Sequence, residues 1–229
     1  MQAARGTSLS SGSGDHESRP DSDDTPDVPA GDAPGRLPRR RAWAIFAVVA
    51  LATYLLDLAT KQLALTHLQE ADGSRPRVDL IGDLLGLQLA FNPGAAFSLG
   101  EDFTVVISCV AIVATCVVLY FSTRLRSPLW AVGMGVLLAG ITGNLTDRLF
   151  RDPAPFHGHV VDMIELPNFP IFNVADMCIN IAAALIIIQS FRGIRLDGSR
   201  IEEPEKPAKA ARRAQAGRAV DEPAEEADA

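Results

Sequence analysis

The chain has 229 residues, 48% of them hydrophobic, and a formal charge of −7 at pH 7, with a mean hydropathy of +0.14. The average conceals a segregation: most of the charged residues, of both signs, sit in two polar ends, and the apolar residues lie between them in long runs. Those runs lack the polar residue every three or four positions that an amphipathic helix in water would show, which excludes a water-soluble helical domain.

Residues 1–41, rich in Gly, Ser, Pro, Asp and Arg, hold too few apolar side chains to pack a core and are expected to be a disordered tail. The first apolar run, 42–64 (AWAIFAVVALATYLLDLATKQLA), starts late, is long and lacks a small-x-small exit site, so it reads as a retained helix and not a cleaved signal peptide. Residues 65–102 are long for a simple link. They contain LLGLQLAFN, which suggests a short strand pair or ribbon, followed by NPGAAFSLG, where Pro93 and Gly94 break regular structure. The run 103–121 has no charged residue and is long enough to cross about 30 Å of hydrocarbon at about 1.5 Å per residue. The runs 129–147 and 171–191 complete a set of four, each with one or two ionisable residues. The runs show no barrel-type alternation. Residues 192–229, mostly Ala, Glu, Lys, Arg and Pro, are expected to be a second disordered tail. Cys109, Cys116 and Cys178 fall inside apolar runs with no zinc or disulfide spacing and read as small polarizable filler.

Basic residues set the orientation. Arg36, Arg39, Arg40 and Arg41 precede the first helix, Arg124 and Arg126 separate the second from the third, and Arg192, Arg195 and Arg200 follow the fourth, whereas acids outnumber Arg75, Arg77 and Arg151 in the two longer connections. The positive-inside rule then puts both tails and the 122–128 turn in the cytoplasm and the longer connections outside.

With that topology, nearly every polar residue of the four runs falls in one shallow layer near the outer surface. Asp57 and Lys61 share a helix face at i, i+4, most simply as an ion pair. Asn144 follows Gly143, near Gly140, and suits a helix-to-helix hydrogen bond at a small-residue contact. Asp147 and Arg148 read as an interfacial pair orienting 150–170, and Asn92, Asn173 and Ala175 lie at the same level. His157 and His159, at i, i+2 with no third ligand nearby, do not point to a metal. Asp162 and Asp176 resist a structural explanation best, because no Lys or Arg lies near either in sequence to compensate it and intramembrane acids are functional candidates by default. Two carboxylates in a site of low polarity cannot both ionise cheaply, so the pair shares a proton and offers a base beside an acid.

The blocks DLATK, FNPGAAFSL, GNLTDR, GHVVDMIEL and FNVADMCIN, in order across 42–191, resemble the lipoprotein signal peptidases, the type II signal peptidases of bacteria. The resemblance implies an all-α membrane protein of four transmembrane helices with a small extracytoplasmic β-type cradle. It implies an aspartic endopeptidase that cuts diacylglyceryl-modified prolipoproteins before the lipid-modified cysteine, with Asp162 and Asp176 as the catalytic pair. Asp57, Lys61, Asn92, Gly143, Asn144, Asp147, Arg148, Asn173 and Ala175 match positions that surround or support that pair. Met163 stands where the family usually has Phe, a change expected to touch packing and not chemistry. No cofactor, metal or nucleic acid is expected. The expected partners are prolipoproteins and membrane lipids, with the protein acting as a monomer. The rival class is a small channel or proton-coupled carrier, since NPGA is similar to the Asn-Pro-Ala loops of water channels. Against it, the motif occurs once, no inverted repeat is visible, and the polar residues stop near the outer side.

Overall fold

The structure is a computed structural model and describes residues 36–94 and 102–201. Its elements run α1 (Arg39–His67), β1 (Val78–Ile81), β2 (Leu85–Asn92), α2 (Asp102–Ser122), α3 (Pro128–Phe150), β3 (Val160–Glu165) and α4 (Val174–Phe191). Among the described residues, four helices are long and apolar enough to cross a membrane, as the hydropathy predicts. Helix α1, at 29 residues, spans about 43 Å. It therefore outruns a hydrocarbon core of about 30 Å, and its last turns carry the sheet.

Helix α3 is the hub, packing against α1, α2 and α4. Small residues make this possible. A Cβ at Gly135 would come within 2.8 Å of the Phe46 carbonyl oxygen of α1, and one at Gly140 within 2.7 Å of the Ala175 carbonyl oxygen of α4. Without side chains there, the backbones approach closely and dispersion replaces the hydrophobic drive that lipid cannot supply.

The two ends of the bundle differ. At one end, Leu37 donates its N–H to the Arg126 carbonyl at 2.8 Å, Arg126 donates to Leu196 at 3.0 Å, and the Trp130 indole donates to the Ile194 carbonyl at 2.8 Å. At the other end, β1, β2 and β3 form an antiparallel sheet in that order. One face of it, with Leu89, Val161 and Met163, packs on Ala64 of α1 and on Leu68, which caps that helix. Met163 is thus a packing residue, as expected of its position.

Several boundaries differ from the sequence reading. Residues 1–35 and 202–229 of the expected tails, and 95–100 of NPGAAFSLG, lie outside the described residues. Within the described part, Arg39 to Arg41 form the first turn of α1, and 194–200 closes a turn through an Ile194–Arg200 bridge. The expected ribbon in 65–102 is present, but a third strand from 150–170 completes it. Helix α4 starts at Val174, not 171, because Phe172 exchanges backbone hydrogen bonds with Ile164 at 2.8 and 3.0 Å and Asn173 caps the helix.

Candidate active site

The start of α4 organises the site. Asn173, fully buried, accepts the Asp176 N–H at 3.0 Å through Oδ1, and Asp176 accepts the Asn173 N–H at 3.2 Å through Oδ2. This is a capping box, satisfying orphan donors of the first turn reciprocally. The Asn173 amide is then free to point outward from the helix: its Nδ2 donates to Asp162 Oδ1 at 2.6 Å and to Asn144 Oδ1 at 3.1 Å.

Asp162 reaches this point from β3, where it is paired with Ala90 of β2. Strand alternation sends Val161 and Met163 to the α1 side and Asp162 to the opposite face, toward α3 and α4. Asn144 of α3 closes the ring by donating Nδ2 to Asp176 Oδ1 at 2.8 Å. The two acids expected to pair therefore meet around Asn173, one from a strand and one from a helix.

Behind them lies a second layer centred on Lys61, which has no exposed surface. Its Nζ sits 2.9 Å from Asp57 Oδ2, 2.8 Å from Asp147 Oδ2 and 3.0 Å from Asn144 Oδ1. Asp57 also accepts the Ala175 N–H at 2.9 Å, so α1 contributes a cap to α4. Asp147 also accepts from Arg151 Nε and, at 3.3 Å, from the Val161 N–H beside Asp162. A Cβ at Gly143 would run into the Asp57 carboxylate, so the glycine is required there for close approach.

The expected Asp57–Lys61 pair is thus present but extended. The expected Asp147–Arg148 pairing gives way to Asp147 with Lys61 and Arg151. Arg148 is buried instead among the charges of Asp162, Asp176 and Asp147, and its Nη1 has no hydrogen-bond partner among the described residues. It supplies the compensating cation that sequence neighbours of Asp162 and Asp176 lack, because helix packing brings it from α3. Asn92, at the end of β2, bonds the Asp162 carboxylate and accepts the Gly94 N–H at 2.8 Å.

Asp162 is 2% exposed. Burial pushes its carboxyl up to about 6, the negative charge of Asp176 adds to the rise, and hydrogen bonds from Asn173 and Asn92 with the charge of Lys61 oppose it. Across the cluster, four carboxylates (Asp57, Asp147, Asp162, Asp176) face three cations (Lys61, Arg148, Arg151). One proton held on the acids would balance the charge.

Arg151 and the strand β3 escaped the sequence reading. The strand had a legible signal in the β-branched, alternating VVDMIE, and the capping box had one in the Asn-x-x-Asp spacing ahead of an apolar run. Arg151 had only its i, i+4 spacing from Asp147.

A helical membrane bundle with this buried ionic cluster under a small sheet defines an integral-membrane enzyme. The chain belongs to the signal peptidase (SPase) II family, whose profile matches residues 49–192. Over 160 residues it is 44% identical to the lipoprotein signal peptidase of Leifsonia xyli subsp. xyli, covering 69% of this chain and 72% of that one. It is 40% identical over 187 residues to that of Streptomyces coelicolor, covering 81% and 90% respectively. A solved structure described as a bacterial membrane enzyme shares the fold with a TM-score of 0.56 at 24% identity, covering 69% of this chain and 97% of that one. The chain is therefore a membrane-embedded protease of the signal peptidase II type, a family of the bacterial cytoplasmic membrane, as the sequence blocks imply.

Proposed function

We propose that the protein is an aspartic endopeptidase that removes signal peptides from diacylglyceryl-modified prolipoproteins, cutting before the lipid-modified cysteine, with Asp162 and Asp176 as the catalytic pair. The observation that carries this reading is the convergence of both carboxylates on one buried asparagine, Asn173, whose side chain donates to Asp162 and whose backbone N–H donates to Asp176, beside the Arg148 guanidinium.

One carboxylate of the pair, ionised, takes a proton from a water molecule as the water oxygen attacks the scissile carbonyl carbon. The other, protonated, donates a hydrogen bond to the carbonyl oxygen as negative charge grows on it. Collapse of the tetrahedral intermediate breaks the C–N bond, and the proton taken from water passes to the leaving amine. The elevated Asp162 carboxyl, at about 6, supports a shared proton near neutral pH. Asn144 and Asn173 hold the pair, and the Lys61 layer braces them. The buried Nη1 of Arg148 is a candidate donor to the substrate main chain.

Both termini are cytoplasmic and the sheet end is extracytoplasmic, so the pair lies just below the outer surface. Substrate acyl chains then remain in the outer leaflet while the peptide bond reaches the acids. The sheet serves as the cradle over the cleft, and the enzyme acts as a monomer among membrane lipids.

In a cleavage assay with detergent-solubilised full-length protein and a diacylglyceryl-modified prolipoprotein, wild type releases the signal peptide at its expected mass. Asp162→Asn and Asp176→Asn each lose roughly 10²–10⁴-fold or more in rate while remaining folded. Substantial cleavage by either purified variant would remove that residue from the pair, and ion flux without cleavage would favour a carrier.

A further inference from the structure

Helix α4 carries a polar side chain that neither its packing nor the catalytic layer uses. Between Asp176 and Gln189 the helix reads MCINIAAALIII, where Asn180 is the one amide in an apolar stretch. Asn180 is exposed at the helix surface. One of its amide hydrogens goes to the Asp176 carbonyl oxygen at 2.9 Å, one turn back, which tilts the side chain toward the catalytic end. Its second amide hydrogen and its Oδ1 have no partner among the described residues. In hydrocarbon such a group is costly, and Leu or Ala would hold this position more cheaply.

Asn180 also lines a groove of about 660 Å³ that opens at Asp176 and runs down α4. Apart from Asn92, Asp176 and Asn180, its walls are apolar, with Phe169, Met177 and Ile181 exposed along it by 58%, 42% and 50%. The lining suits a lipid chain, and the amide marks one polar point along its course. Four residues of helix set Asn180 about 6 Å deeper than Asp176. In a substrate whose cysteine sulfur carries a diacylglyceryl group, the path from the scissile nitrogen through Cα, Cβ and sulfur to an ester carbonyl covers seven bonds. That is about 6–9 Å depending on conformation. The carbonyl is an acceptor that leaves water when the lipid enters the groove, and the free Asn180 hydrogen is a donor at matching depth.

We infer that Asn180 is a substrate-binding residue that donates its spare amide hydrogen to an ester carbonyl of the diacylglyceryl group, in the apolar groove one helical turn below Asp176. This rests on the endopeptidase reading and adds to it a contact that distinguishes ester-linked from ether-linked lipid.

The test uses the full chain and two prolipoprotein substrates, one with ester-linked diacylglyceryl and one with a dialkyl ether analogue that lacks the carbonyls. Wild type should show a KM roughly 3- to 10-fold lower for the ester, the span of one neutral hydrogen bond. Asn180→Leu should raise KM for the ester to the ether value, leave the ether KM unchanged and keep kcat. Asn180→Ser, which retains a donor, should recover part of the preference. An equal loss on both substrates would overturn the assignment, since a residue acting only through α4 cannot read the ester. Equal KM values for both substrates in wild type would also overturn it. A wild type that cuts neither would defeat the endopeptidase reading, and this contact with it.

Discussion

Lys61 shows how much one buried charge can decide. It has no exposed surface and is held by two carboxylates and an amide from α1 and α3. Removing it leaves Asp57 and Asp147 buried without their shared cation, and a broken buried pair costs about 3–5 kcal/mol. Lys61→Met should therefore lower stability in detergent by that amount, read by thermal or denaturant unfolding, and abolish cleavage. Adding Asp57→Asn should recover part of the stability, because one uncompensated charge disappears with it. An unchanged midpoint for Lys61→Met would mean that the ion cluster contributes nothing to the fold.

Asp162 works in the opposite sense. Its folded carboxyl, at about 6, lies above the ordinary aspartate value of about 3.9. Between those values the folded protein keeps a proton that the unfolded chain releases, so the contribution to stability is complete below the ordinary value. It is lost as pH rises through about 6. Wild type should be less stable at about pH 7.5 than at about pH 5. Asp162→Asn, which cannot ionise, should remove that slope and exceed wild type above neutrality by on the order of 1–3 kcal/mol while losing activity. Parallel unfolding curves of the two proteins across this range would contradict the buried, proton-holding role. Cleavage by wild type should follow a bell-shaped pH profile with one limb near 6.

At the scale of elements, the site depends on how closely α3 approaches its neighbours. A side chain at Gly140 would meet the Ala175 carbonyl of α4 and Ile179. Gly140→Val should force α3 and α4 apart and move Asn144 away from Asp176, costing roughly 1–3 kcal/mol and most of the activity. Cleavage at the wild-type rate would show that the two helices can separate without harm. The sequence displays α3 and its small residues plainly, since hydropathy depends on composition and Gly140 and Gly143 stand in the run itself. It also displays Asp57 with Lys61, because i, i+4 neighbours meet within one helix. It conceals what tertiary packing creates. Asp147 could not be assigned to Lys61, which comes from another helix, and Arg148 could not be seen as the cation facing Asp162 and Asp176. Strand β3 was hidden for a related reason: short strands are defined by their partners, and the partner of Asp162 lies at Ala90, far back in the chain.

At the scale of the whole molecule, the polar ends of the bundle carry opposite roles. Exposed Arg39, Arg40, Arg41, Arg124, Arg126, Arg192, Arg195 and Arg200 gather at the end opposite the sheet. Retention of arginine on the cytoplasmic side is the rule that orients multispan proteins, so Asp162 and Asp176, proposed as the catalytic pair, should face the other compartment. Replacing Cys109, Cys116 and Cys178 with Ala gives a background free of thiols. Cys109 and Cys116 are exposed on an apolar helix and Cys178 is buried in α4, so this background should retain most of the cleavage activity. Into it, Ala154→Cys places a thiol on an exposed loop at the sheet end, and Thr123→Cys places one on the exposed α2–α3 turn. A membrane-impermeant maleimide applied to intact cells with the outer barrier opened should label the first at once. It should label the second only after the cytoplasmic membrane is breached. The reverse pattern would put Asp162 and Asp176 on the cytoplasmic side, out of reach of the proposed substrate with its lipid in the outer leaflet. Cleavage of exported prolipoproteins by this pair would then have no physical route.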